Sequence, residues 1–131
     1  MGYWTFRTYV SPQGEEEVTT WYAAQTPTVR AAFDQRLRTL WQMKPQEWRD
    51  PYTKVLEGAC EGLVEIRFKA DRAQQRPLGF YGPGRMEFTI VLMAREIGDR
   101  FEPKNACEVA LARKADVIRY PVQFSRVLAV D

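Results

Sequence analysis

Apolar and polar positions alternate most clearly from Leu63 to Lys69, with Val64, Ile66 and Phe68 on one face and Glu65, Arg67 and Lys69 on the other. That period of two predicts a half-buried antiparallel strand. Trp4 to Val10 is aromatic, β-branched and partly alternating, and predicts a first strand. Between them the period lengthens. Behind the Ser11-Pro12-Gln13-Gly14 turn, Glu15 to Glu17 supply negative charge where a helix start favours it, and Val18, Trp21, Tyr22 and Gln25 follow at helical spacing. Thr26-Pro27 is a second helix start, after which Val29, Ala32, Phe33, Leu37, Leu40 and Trp41 recur at steps of three and four. The short connection predicts an antiparallel helical hairpin. Pro45 and Pro51 then break the pattern, leaving a turn and a short helical piece before Leu56.

Arg76 to Tyr81 predicts a weaker strand, interrupted by Pro77 and Gly79, and Gly82-Pro83-Gly84 a turn. Met86 to Met93 is nearly all apolar, the mark of a central strand covered on both faces. Pro103 opens a helix to about Arg119, with Cys107, Ala110, Leu111, Val117 and Ile118 as its apolar stripe; Pro121 stops it. Val122 to Val130 reads as a last strand. This order predicts a two-layered α+β fold: an N-terminal helical hairpin packed on a twisted antiparallel sheet, followed by a C-terminal helix. It forms one domain over residues 1–131, with extra strands at about 4–10 and about 122–130.

Composition narrows the chemistry. The 131 residues include 19 Lys+Arg, 17 Asp+Glu and no histidine, which excludes Ser-His-Asp and Cys-His nucleophile systems and histidine-ligated zinc. Two cysteines, Cys60 and Cys107, are too few for a disulfide framework or a four-cysteine metal site, and read as reduced core thiols of a cytosolic protein. No metal or cofactor is expected. Met1 to Val10 lacks a secretory pattern and no apolar run approaches the roughly 20 residues of a membrane span, so the expected setting is cytoplasmic, away from membranes. Trp21, Trp41 and Trp48 sit among apolar neighbours and read as core packing.

Charge is uneven. From Leu63 to Met86, Arg67, Lys69, Arg72, Arg76 and Arg85 stand against only Glu65 and Asp71. Arg67 and Lys69 lie about 7 Å apart on one strand face, and a paired neighbour strand brings Arg76 beside them. Cations converging on one sheet face suit a phosphate backbone, since guanidinium forks bind phosphate oxygens in pairs; a solvated face carrying surface ion pairs fits the same pattern. Tyr81 is a candidate for base stacking or proton donation, and equally an edge-strand residue. RNA carries its own nucleophile, the 2′-hydroxyl, so cleavage needs only a base, cations for the developing charge and an acid for the leaving oxygen. Lys69 and Glu96 are the candidate bases.

Several segments together carry a likeness. These are Trp48-x-x-Pro51-x-x-Lys54-x-Leu56, Gly62-Leu63-Val64-Glu65-Ile66-Arg67, the run from Arg76 to Arg85, Glu87-Phe88-Thr89, and Pro103 leading into Ala110 and Arg113. Over roughly Val29 to Arg119 the chain resembles the RelE/ParE toxin superfamily, most of all its phage-derived, HigB-like branch. The resemblance implies the toxin of a type II toxin–antitoxin pair, silenced by a cognate antitoxin. It implies a metal-independent endoribonuclease that cuts mRNA on the ribosome, with Arg67 and Arg76 matching the family's arginines. Arg67, Lys69, Arg76 and Tyr81 are then the candidate catalytic residues, and Arg72, Arg85 and Arg95 the candidate RNA contacts. The chain departs from the family where a lysine pair ends the last hairpin strand: Ile97-Gly98 stand there, flanked by Arg95 and Arg100. That departure fits the family's non-catalytic members, which bind a protein target such as gyrase, or a phage-derived accessory module.

Overall fold

A computed structural model describes residues 2–130. Its strands are β1 (Thr5–Tyr9), β2 (Thr53–Val55), β3 (Val64–Ile66), β4 (Phe68–Ala70), β5 (Ala73–Tyr81), β6 (Glu87–Ile97), β7 (Arg100–Glu102) and β8 (Ser125–Leu128). Its helices are α1 (Glu17–Ala24), α2 (Pro27–Trp41), α3 (Ala106–Arg119) and α4 (Pro121–Phe124). The fold is α+β with one open, mostly antiparallel sheet in the order β2-β3-β5-β6-β1-β8, while β4 pairs with β5 and β7 with β6. The exception is β1, which runs parallel to β6, Phe6 opposite Phe88.

Helix α2 forms for the expected reason. The Thr26 hydroxyl accepts the Val29 N–H at 3.3 Å, Pro27 takes the first position, and Val29, Phe33, Leu37 and Leu40 are buried. They pack on a sheet face made by Phe6, Val64, Ile66, Phe68, Phe88 and Ile90. Trp48 is buried in this layer, its indole N–H donating to the Leu40 carbonyl at 3.2 Å. Trp21 and Trp41 are half-buried against it.

Helix α3 packs elsewhere. Ala106, Ala110 and Val117 meet Leu56, Leu63, Leu78, Phe80, Leu92 and Ala94, a second core on the opposite face. The molecule therefore has three layers, with the sheet in the middle, where two were expected. A period of 3.6 shows which helix residues are buried but not which side of a sheet receives them. Ile118, expected in the α3 stripe, is exposed, because it lies about 100° around the helix from buried Val117. The helix also starts at Ala106, after a turn at Pro103 to Asn105.

Three further corrections concern the strands and cysteines. The Leu63–Lys69 strand breaks at Arg67, whose N–H bonds the Tyr52 carbonyl and whose own carbonyl accepts Arg36, so neither serves β5. The last strand is preceded by the four-residue α4. Cys60 and Cys107 are joined in a disulfide, Cα atoms 5.0 Å apart, tying the turn before β3 to the first turn of α3. The expected separate thiols are thus paired, and nothing local in the sequence marks a partner 47 residues away.

One irregularity aligns the layers. Leu78 faces Leu92 but Gly79 faces Ile90, so Val91 is an extra residue in β6. Arg113 of α3 donates to the Val91 carbonyl at 2.9 Å, and Glu17 of α1 accepts the Met93 N–H at 3.0 Å. Glu17 and Arg113 then join each other at 2.8 Å. Gly79 is required opposite the bulge, since a Cβ there would drive into the Thr89 carbonyl and the Phe88 ring.

Candidate functional site

Cross-strand register places the charged residues. Lys54 lies opposite Glu65, Glu65 opposite Leu78, Lys69 opposite Gln74, and Gln74 opposite Glu96. Directly paired residues share a face, so Lys54, Glu65, Lys69, Gln74, Arg76 and Glu96 all lie on the α3 side. That face has two halves. Leu78, Phe80, Leu92 and Ala94 are roofed by α3. The charged residues lie beyond its reach on β2 to β6.

At the centre is Glu65, buried. One carboxylate oxygen receives Arg67 Nε at 3.0 Å and Arg76 Nε at 3.4 Å. Burial raises the Glu65 pKa above the ordinary carboxylate value, and the two guanidinium groups, Arg76 more than Arg67, pull it back only in part. Arg76 is buried too and has all three nitrogens engaged: Nε on Glu65 and Glu96 (3.2 Å), one terminal nitrogen on the Gln75 carbonyl (2.9 Å), the other on Gln74 Oε1 (3.0 Å). Arg67 is half-exposed and also holds Asp50 at 2.9 Å.

Arg67, Lys69 and Arg76 are thus brought to one face, as the alternation predicted, with Glu96 beside them. The convergence is built around a carboxylate. Arg67 and Arg76 are each neutralised by protein acids, and Arg76 faces no solvent. The other proposed residues lie elsewhere. Tyr81 is on the α1/α2 side, against Trp4, Trp48 and Phe88, and five residues along β5, about 17 Å, separate it from Arg76. Burial raises its phenol pKa, making it a poorer acid. Arg85 is exposed at the β5–β6 turn, lining a groove with Trp4, Tyr81 and Pro83. Arg72 sits with left-handed backbone at the β4–β5 turn, beside Asp71, which accepts the Thr26 hydroxyl. Arg95 pairs with Glu102 at 2.8 Å. Ile97 and Gly98 lie at the tip of the β6–β7 hairpin, Ile97 exposed and opposite Arg100.

Two residues missed in the sequence belong to this region. Arg49 and Lys54 line an open groove of about 440 Å³ with Trp48, Asp50, Thr53, Val55 and Arg67. A three-residue strand such as β2 shows no period, so Lys54 could not be assigned a face. Among the described residues no group of three Cys, Asp or Glu side chains is placed to hold a metal ion, and no helix is long and apolar enough to cross a membrane. Compared with models of known families, with curated proteins and with solved structures, the chain matches none.

Proposed function

We propose that the protein is a RelE/ParE-like toxin of a type II toxin–antitoxin pair that cuts mRNA by attack of the 2′-hydroxyl on the adjacent phosphate. The observation that carries this reading is the row Lys69–Gln74–Glu96, in register across three strands, beside Arg67. Lys69 and Glu96 stand two strands apart, about 10 Å, a gap that a phosphodiester fits between two long side chains. Glu96 takes the 2′ proton as the 2′-oxygen bonds to phosphorus. Lys69 and Arg67 hold the equatorial oxygens, and Lys69 returns a proton as the bond to the 5′-oxygen breaks, leaving a cyclic phosphate. Arg76 acts from behind, fixing Glu65 and Glu96. Of the fold that the resemblance implies, the chain has the general α+β class, whereas the arrangement, with β1 parallel to β6 and α3 on the opposite face of the sheet, differs from it.

The test is expression of the chain alone. Growth arrest with cleaved mRNA is expected, relieved by Arg67→Ala or Lys69→Ala. Harmless expression with intact mRNA overturns the reading. A second reading, a non-catalytic member that binds a protein such as gyrase, is favoured by the complete engagement of Arg76 and by Ile97-Gly98. Capture of such a target without RNA cleavage supports it. An mRNA target implies the cytoplasm, whereas disulfides persist in oxidising surroundings. A Cys60–Cys107 pair found oxidised in intact cells counts against the first reading.

A further inference from the structure

We infer that the groove at the β2 edge is a phosphate subsite for a single RNA strand, formed by Arg49, Lys54 and Arg67. This deepens the nuclease reading and rests on it. Three cations line this groove against one exposed carboxylate, Asp50. The side chains of Arg49 and Lys54 make no hydrogen bond or salt bridge among the described residues, and both are exposed. They differ in this from Arg76, whose charge is consumed inside the protein. Arg67 links the two zones: its Nε is held by buried Glu65, which turns the guanidinium toward the groove where Asp50 meets it.

The site is partly preorganised. The Arg67 backbone is pinned on both sides, its N–H to Tyr52 and its carbonyl by Arg36, and Arg36 lies over the Tyr52 ring. Lys54 is set by strand pairing directly across from Glu65. β2 ends the sheet, so no further strand covers the groove. Entry of a phosphate displaces only Asp50, whose side chain is largely in water. Trp48 forms the floor but is buried, so it offers no stacking face. The groove therefore reads backbone charge and not base identity, and its ligand is any single-stranded phosphodiester.

The probe is a fluorescent 2′-O-methyl decauridylate, which binds but cannot be cut, titrated against the full chain over a range of salt. For a single strand, each neutralised phosphate adds about 0.7 to the slope of log affinity against log salt. Arg49→Ala and Lys54→Ala are each expected to lower that slope by about 0.7 and to weaken binding of all sequences alike. Arg126→Ala, at the opposite edge of the sheet, leaves the slope unchanged. No binding by the wild type, unchanged slopes in both groove variants, or an equal loss in Arg126→Ala each overturn the proposal. Cleavage assays on unmodified RNA separate the two claims. Binding with the expected slopes but no cleavage keeps the subsite and sinks the nuclease; cleavage with unaltered slopes does the reverse.

Discussion

The two faces of the sheet solve the same burial problem differently. Under α1 and α2 the sheet is mainly aromatic and aliphatic, with Phe6, Phe88 and Trp48 in mutual contact and Phe68 against Phe33 of α2. Under α3 only half is apolar. A helix of 14 residues spans about 21 Å and cannot roof the whole sheet. Beyond it the same face carries Glu65, Arg67, Arg76 and Glu96. One side is held by non-directional burial, which tolerates repacking. The other is held by paired charges whose value depends on every partner being present.

The largest effect that separates them comes from single deletions. Phe88→Ala and Arg76→Ala should each cost about 3–5 kcal/mol, the first by opening a cavity and the second by removing the buried partner of Glu65, which then keeps only half-exposed Arg67. Urea unfolding then distinguishes the causes. The double change Glu65→Gln with Arg76→Met should recover most of the Arg76→Ala loss, since no buried charge is stranded. If the double variant is as unstable as the single one, the charged half is not held by pairing.

Next in size is the disulfide. Closing a 47-residue loop is worth about 4 kcal/mol in the chain-entropy account. Because it ties α3 to the turn before β3, reduction should speed amide exchange in α3 before α2. Equal acceleration in both helices would show that the two layers do not loosen separately.

The smallest effect is pH dependence. Burial raises the Glu65 pKa, so folding favours its protonated form. Its contribution is fully present below the unfolded carboxylate pKa and is lost as pH rises through the higher folded value. Glu65→Gln removes that titration. Relative to the variant, the wild type should lose stability as pH climbs from the ordinary carboxylate range, read from urea midpoints at successive pH values. Parallel profiles would remove burial as the dominant influence on this group.

Much of this contrast was readable in advance, but unevenly. Local period placed Val64, Ile66 and Phe68 opposite Glu65, Arg67 and Lys69, and capping chemistry located Thr26 and Pro27. The parity of positions 76 and 81 already sets Arg76 and Tyr81 on opposite faces, a signal that their shared neighbourhood obscured. Other features depend on register between distant segments. The meeting of Arg76 with Glu65 and Glu96 follows from β3–β5–β6 alignment and from the extra Val91. The side taken by α3, the parallel partner of β1 and the Cys60–Cys107 bond are long-range in the same sense, and no window of neighbouring residues carries them.

The position of β1 bears on how the chain is made. Its neighbours are β6 and β8, so β1 leaves the ribosome before either of them and waits for residues 87–90 and then 125–128 before its edges are satisfied. The helical hairpin can close on itself early in synthesis. The ladder around β1 closes only once both partners have been made, and until then the emerging chain carries an open aromatic strand.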